Sequence, residues 1–372
     1  MQSGGVERGT VELSKAIVKH GFESIVASAG GHMVKTIENA GGAHIELPLA
    51  SKNPFVIKKN TAELKKIIQK HNVDVVHARS RAPAWSAYKA CQETGCPFVT
   101  TVHGTYSIGN MFKKRYNSVM MKGEKVIAVS EFIKKYITDN YDIDEKIIEV
   151  IHRGADLNHF DRSLIGENRI LHKAEELNIE HDRPIIMLPG RVTQWKGHDF
   201  LLDALKDIDK SKYRCFFVGN ADKHPEYLKR IKAKIEDYEL GGNIRIIKNV
   251  TDMPALYHFA DIVISASVRP EAFGRVAIEA QAMEKMLIAT NHGGACETVI
   301  DGKTGWLVEP DNVEQFAETI EKLLNISNKK RIEVTNRAKK HIKKNFSLDG
   351  MTSKTIAIYE GIINNKNKET KS

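Results

Sequence analysis

The stretch Asp261–Pro310 reads DIVISASVRPEAFGRVAIEAQAMEKMLIATNHGGACETVIDGKTGWLVEP, and it decides the fold. It opens on Asp261-Ile262-Val263-Ile264-Ser265, a β-branched run without polar alternation, as in a strand buried on both faces. A loop holding Arg269-Pro270-Glu271 and Phe273-Gly274 follows. The next residues, Val276 to Lys285, are rich in Ala, Glu and Met and favour a helix. A second apolar run, Met286-Leu287-Ile288-Ala289, leads into a Gly293-Gly294 turn. Strand, glycine-containing loop, helix, strand is a βαβ unit. Its loop falls at the carboxyl end of a parallel sheet, where ligands bind.

The loop carries chemistry for a phosphorylated, hydroxyl-rich ligand. Gly274 lets a ligand approach the backbone, and the free N–H groups opening the helix can hold anionic oxygens. The two oxygens of Glu279 suit a vicinal diol such as a ribose, and Glu271 can meet a second set of hydroxyls. Two glutamates at this spacing are common on surfaces and alone say little. Joined to Gly293-Gly294-x-x-Glu297 and Gly302-x-x-Gly305-Trp306-Leu307-Val308, the pattern Glu271-x7-Glu279 resembles the signature of retaining glycosyltransferases of family 4. The resemblance implies a donor site that includes Phe273, Gly274, Arg275 and Glu279, with Glu271 at the reacting centre.

Length and composition agree. At 372 residues the chain suffices for two domains, and its 41% apolar share is that of a soluble globular protein. No apolar run is long enough to span a bilayer, and no leader resembles a signal peptide. Cys91, Cys96, Cys215 and Cys296 fall in no metal or disulfide pattern, which points to a reducing cytosol. The net charge of +9 favours anionic partners or a solvated Lys-rich surface. The Asn/Lys-rich last few residues are expected to fray.

Near its start, Ser3-Gly4-Gly5-Val6-Glu7-Arg8-Gly9 reads as a glycine-rich loop before a helix from Thr10 to His20, or as a floppy terminus. By resemblance that loop, Gly5 included, faces donor phosphate and acceptor. Strand-like and helical runs then alternate: strands at Phe22–Ser28, His44–Leu47, Val73–His77, Phe98–Val102 and Lys125–Val129, helices at Met33–Ala40 and Ile57–His71. Such alternation implies a doubly wound parallel sheet. His103 stands at the end of one strand and before Gly104; the resemblance places it against the transferred sugar. Arg79 and Arg81, at another strand end, suit an anionic acceptor or are simply solvated. From Asn110 to Lys122, basic residues interleave with Phe, Tyr and Met. That fits a helix lying on an anionic membrane or an amphipathic helix with its apolar face in the core.

Val150 to Phe160 resembles the end of the family's first domain, with His152 where proline is usual. A second domain opens on the strand Pro184–Pro189. Gly190-Arg191-Val192-Thr193-Gln194-Trp195-Lys196-Gly197 follows, and the whole block resembles the family's donor-phosphate loop. Arg191 can grip a diphosphate bidentately and Lys196 adds a compact charge. By resemblance, the turn from Asn249 to Asp252 lies near the nucleotide base. Glu284 and Met286 replace a usual Gly and Pro, which should loosen that turn, and Cys296 replaces a usual proline. Helices are expected at Val313–Leu324, Lys329–Asn345 and Ser347–Ile363.

The expected architecture is therefore α/β and of the GT-B kind: two Rossmann-like doubly wound parallel-sheet domains facing across a cleft. The boundaries are 1–165 for the acceptor-side domain, 166–345 for the nucleotide-sugar domain and 346–372 for a helix returning to the first. The expected reaction moves a sugar from a nucleoside diphosphate to an acceptor hydroxyl, with retention by resemblance. The acceptor would be a glycan or lipid-linked molecule of cell-envelope polysaccharide or lipopolysaccharide synthesis. No stretch is read as the Asp-x-Asp site that metal-dependent transferases use, so no metal or other cofactor is expected, and the nucleotide sugar is a substrate. A cytoplasmic enzyme, peripheral on the inner membrane face, fits the charge. A nucleotide-sugar epimerase on the same fold and a basic nucleic-acid binder are the alternatives. The second would show steep salt dependence, and nucleic acid is not the expected partner. No strand is followed by Gly-x-Gly-x-x-Gly, which argues against a dinucleotide-dependent dehydrogenase.

A glycine-rich loop of this kind should follow a buried strand, and only Met1-Gln2 precede Ser3. Without that strand, buried backbone groups on its two neighbours would stay unpaired at about 1–3 kcal/mol each. The expectation is an upstream apolar strand of about 5–6 residues. The rival is a degenerate chain whose activity is lost.

Overall fold

A computed structural model describes residues 4–180, 182–222 and 224–369. Ser3 of the glycine-rich stretch and residues 370–372 of the tail, expected to fray, lie outside the described residues. The chain divides into two compact units. One runs through His152 and resumes at Leu348; the other is Arg153–Ser347.

The first unit holds β1 (Ile25–Ser28), β2 (Ala43–Glu46), β3 (Val76–Ala78), β4 (Phe98–Val102), β5 (Lys125–Ala128) and β6 (Ile148–Val150). All their pairings are parallel, but they form two sheets, β1-β2 and β3-β4-β5-β6. Every residue of β4 is buried, which is why Phe-Val-Thr-Thr-Val shows no alternation. Val99 and Ile127 pack with Met351 and Ile362 of the helix Leu348–Glu369.

The second unit contains β7 (Ile185–Pro189), β8 (Arg214–Val218), β9 (Ile244–Ile247), β10 (Ile262–Ser265), β11 (Met286–Thr290) and β12 (Trp306–Val308). They form one parallel sheet in the order β12-β11-β10-β7-β8-β9. Ile186, Leu188, Phe217, Ile264 and Ile288 build its core against Phe316 of the helix Val313–Leu324. The strand order reverses at the β7/β10 pair, so the loops after those two strands are where such a sheet receives a ligand.

Four expectations need correction. The glycine-rich stretch is not a loop: a helix spans Gly5–Lys19, its ladder opening with Arg8 N–H donating to Gly4 O at 3.0 Å. Burial of Val11 and Leu13 outweighs the poor helix propensity of the glycines. The chain changes unit after His152 rather than at 165. Residues 153–165 pack on the second unit, through Ala155 N–H to Phe346 O (2.8 Å) and Phe160 on Tyr257. Trp306–Val308, read only as part of a motif, is the edge strand β12. Finally, the turn at Glu284 is not loose: Glu284 takes a left-handed φ of 57°, and Lys339 Nζ holds its carboxylate at 2.7 Å.

Candidate functional site

In the Arg153–Ser347 unit two loops leave the neighbouring strands β7 and β10. The first ends at Gly197 and opens the helix His198–Leu205; the second ends at Gly274 and opens the helix Arg275–Ala282. The loops touch through their backbones. Val268 N–H donates to Trp195 O at 2.9 Å. Gly197 is left-handed (φ 78°), and a Cβ there would lie 1.8 Å from Ala266 O, so only glycine fits. Neither helix has a side-chain cap at its glycine N-cap, though Asp199 N–H in the first turn of one donates to the Tyr227 hydroxyl at 3.3 Å and Ala277 N–H in the other to Gly274 O at 3.1 Å, and the positive dipole ends of both helices face the two loops. Gly274 serves a different purpose from the one expected. It is left-handed, and a Cβ would come 2.8 Å from the Ala295 Cβ, so its bareness is needed for packing inside the protein.

Across these loops Lys196 Nζ donates to Glu271 Oε1 at 2.6 Å, with both side chains nearly enclosed (14% and 12% exposed). Burial alone would raise the Glu271 carboxyl. The Lys196 charge and hydrogen bond, with a hydrogen bond from the Ser267 hydroxyl, outweigh it and hold the group below its ordinary value. Lys196 also stands over the Trp195 ring, 4.4 Å from its centroid.

Glu271 is fixed from behind as well. The Ser267 carbonyl is met by the Thr290 hydroxyl at 2.8 Å and by His292 Nε2 at 2.5 Å. Gly294 N–H donates to Glu271 O at 2.8 Å, and Glu271 forms a parallel bridge with Gly293. The Gly293-Gly294 turn thus acts as a brace for the Glu271 loop.

Glu279, buried on its helix, pairs with Arg275 at 3.3 Å and accepts from the Tyr257 hydroxyl at 3.3 Å. Arg191 is exposed at the rim of the first loop. The Phe273 ring is buried against Phe346. Asn249 takes a left-handed φ of 56°, its N–H donating to Asn220 Oδ1 at 3.0 Å. Three residues on, Asp252 caps the next helix and receives both prongs of Arg169 at 2.6 Å, which lower its pKa. Among the described residues no His, Cys, Asp and Glu cluster has the make-up of a metal site.

The remaining candidates belong to the other unit. Half-buried His103 follows β4. Arg79 and Arg81 are both partly buried, against the solvated alternative. Arg81 donates to Asn117 Oδ1 at 2.9 Å and stacks on Tyr106, 4.4 Å from its centroid. Gly5 is the first residue of its helix. The 110–122 segment divides: Met111 and Phe112 are 84% and 86% exposed on the helix Met111–Asn117, whereas Val119, Met120 and Met121 are buried.

Sequence reasoning missed Ser267, Thr290, His292, Tyr257 and Arg169. Ser267 and His292 lie inside the decisive stretch, at strand ends, where position alone could have flagged them. Arg169 meets Asp252 across 83 positions and leaves no local signal.

Comparison with known proteins agrees with this arrangement. Residues 171–341 match the family described as glycosyl transferases group 1, and residues 3–159 match Glycosyltransferase Family 4. A crystal structure of a glycosyltransferase from Rickettsia africae ESF-5 is 44% identical, covers 98% of this chain and 96% of its own, and superposes with a TM-score of 0.91. Anabaena Alr3699/HepE in complex with UDP-glucose shares the fold at 20% identity, with 97% of both chains covered and a TM-score of 0.83. The capsular polysaccharide biosynthesis glycosyltransferase CapM of Staphylococcus aureus is 31% identical over 208 residues, 54% of this chain and 52% of CapM. The fold is GT-B, built from two Rossmann-like parallel-sheet units. The chain belongs to the group 1 glycosyltransferases of family 4, enzymes of the hexosyltransferase type (EC 2.4).

Proposed function

We propose that the enzyme takes a glycosyl group from a nucleoside-diphosphate sugar and places it, with retention, on a hydroxyl of a cell-envelope glycan or lipid-linked acceptor. The Lys196–Glu271 pair carries this reading, because it joins two loops that each open a helix at a glycine N-cap. A diphosphate arriving there competes with Glu271 for Lys196, adds Arg191, and takes up the helix N–H groups. Glu279 accepts from the ribose diol, and Glu271, released toward the sugar, accepts from its hydroxyls.

As the bond between the anomeric carbon and the phosphate oxygen breaks, the developing charge falls on Arg191, Lys196 and the helix ends. The acceptor oxygen forms its new bond on the same face of the sugar, and its proton passes to the departing phosphate. By family resemblance, His103 is assigned to the transferred sugar. These roles require no metal. Alr3699/HepE was crystallised with UDP-glucose, which makes a uridine nucleotide the first donor to try. The envelope reading draws on CapM, described by its capsular polysaccharide role. Exposed Met111 and Phe112 beside Lys113, Lys114 and Arg115 support a cytoplasmic enzyme peripheral on an anionic membrane.

The test is transfer from a panel of radiolabelled sugar nucleotides to envelope lipid extracts, with and without EDTA. Transfer unaffected by EDTA supports the reading. Release of free sugar without transfer points to the epimerase, and strict dependence on a divalent ion removes the assignment of Arg191 and Lys196.

A further inference from the structure

The loops after β7, β8 and β9 lie side by side at the carboxyl end of the six-stranded sheet. Their backbones are fastened in sequence as they leave it. Gly190 N–H, after β7, donates to Val218 O at 2.8 Å, and Gly219 N–H, after β8, donates to Ile247 O at 2.9 Å. A Cβ on Gly219 would lie 2.1 Å from Gly190 O, so the first two turns meet backbone against backbone.

Beyond these bonds Asn220 contacts the loops on both sides of its own. Its carbonyl accepts from Val192 N–H at 3.1 Å, one residue from Arg191. Its side-chain Oδ1 accepts from Asn249 N–H at 3.0 Å. Asn249 is left-handed, with φ 56°, a conformation that Asn tolerates better than most residues. The Asn220 side chain therefore holds a backbone that has already turned away from the sheet.

Because β8 separates β7 from β9, the loops after the outer two strands stand roughly 10 Å apart. A backbone hydrogen bond does not cross that distance, so their spacing is set through the loop between them. A further tie, Lys248 to Asp222 at 3.6 Å, joins two exposed side chains and holds weakly. Asn220 and Asn249 are exposed as well. A hydrogen bond in that setting adds little to folding, because water replaces it at small cost. What the Asn220 bond fixes is position.

On the donor reading above, on which this inference rests, Arg191 meets the diphosphate and the turn from Asn249 to Asp252 meets the base. We propose that Asn220 is a positioning residue for the donor: its carbonyl holds the Arg191 loop, and its side chain holds the base turn at a set distance from that loop. Asn220 touches no substrate group in this role. It acts through the Asn249 backbone, and so favours a base and a diphosphate bound together without adding a contact to the diphosphate.

Two substitutions separate the two arms. Asn220→Ala removes the side-chain arm and leaves the backbone arm in place. Asn220→Asp keeps an oxygen able to accept from Asn249 N–H. Calorimetry on the full chain uses uridine diphosphate and inorganic pyrophosphate, which carries two phosphates without ribose or base. Asn220→Ala is expected to bind uridine diphosphate about tenfold more weakly than wild type, and Asn220→Asp to recover most of that loss. All three proteins should bind pyrophosphate alike. Unchanged uridine diphosphate binding in Asn220→Ala overturns the proposal, as does equal weakening toward both ligands or no recovery in Asn220→Asp. If the wild type favours another nucleoside diphosphate, that one replaces uridine diphosphate in the same comparison. A wild type that binds neither pyrophosphate nor any nucleoside diphosphate overturns the donor reading, and the role of Asn220 with it.

Discussion

Lys196 and Glu271, 75 positions apart, meet at 2.6 Å where the loops after β7 and β10 touch. A buried pair of this kind adds little to stability as a pair, but removing one partner strands the other charge. Lys196→Met is therefore expected to destabilise the protein by about 3 kcal/mol at pH 7. The folded-state pKa of Glu271 is depressed, so its contribution is present above the unfolded value of about 4.3 and is lost as pH falls through the lower folded value. In Lys196→Met burial dominates and the folded pKa rises, so the carboxylate penalises folding as pH rises. The gap between the two proteins in urea midpoint should narrow markedly from pH 7 to pH 4. An equal gap at both would show that the two charges are not coupled.

Activity should divide along the same lines. Arg191→Ala and Lys196→Ala are each expected to lower kcat by about 10²–10³, as loss of one preorganised donor does. Transfer assays with a fixed donor check this, and a fully active Arg191→Ala would remove that residue from the leaving-group site.

Glu279→Gln keeps the shape of the side chain but weakens its acceptance from a diol. Binding of the nucleoside diphosphate is expected to weaken about tenfold, with a modest change in turnover. Glu271→Gln should leave that binding nearly intact and change which sugar is transferred. Calorimetry with the nucleoside diphosphate alone separates the two, and the opposite ranking would exchange their roles.

Much of this was readable beforehand, for a physical reason. Parallel strands covered on both faces appear as unbroken apolar runs, so β4, β7 and β11 were found almost to the residue. The Glu271 to Glu279 block was legible because its residues are close in sequence and face one ligand. The start of the first helix was hidden by Gly4, Gly5 and Gly9, whose propensity argues against the helix that packing imposes. The Asp252–Arg169 fork and the Thr290 and His292 contacts to Ser267 arise only when separate segments fold together. Such contacts have no period and no motif.

Glu284 offers a test of backbone strain. Its left-handed conformation is unfavourable for any residue with a Cβ, by about 1–2 kcal/mol. Glu284→Gly and Glu284→Ala both lose the contact to Lys339, so they differ chiefly in that strain. The Gly variant is expected to exceed the Ala variant in stability by about 1 kcal/mol in urea denaturation. Equal midpoints would mean that the turn relaxes when the Lys339 contact is lost.

The membrane reading has its own observable. Phe55 is 84% exposed, as fully as Met111 and Phe112, and Lys52 Nζ lies 5.8 Å from the Tyr116 ring centroid. The start of the helix Pro54–Lys70 is thereby brought beside the helix Met111–Asn117, and exposed aromatic side chains stand among Lys52, Lys113, Lys114 and Arg115. Each buried Phe contributes about 1.5–3 kcal/mol, and each cation near an anionic leaflet about 1 kcal/mol. Sedimentation with anionic vesicles should therefore show binding at low salt that weakens at high salt as the charge term is screened. Phe112→Ala should weaken low-salt binding about tenfold or more while leaving transfer to a water-soluble acceptor unchanged. Vesicle binding that is equal for wild type and Phe112→Ala would assign the attraction to charge alone. No sedimentation at either salt would remove the membrane from the account.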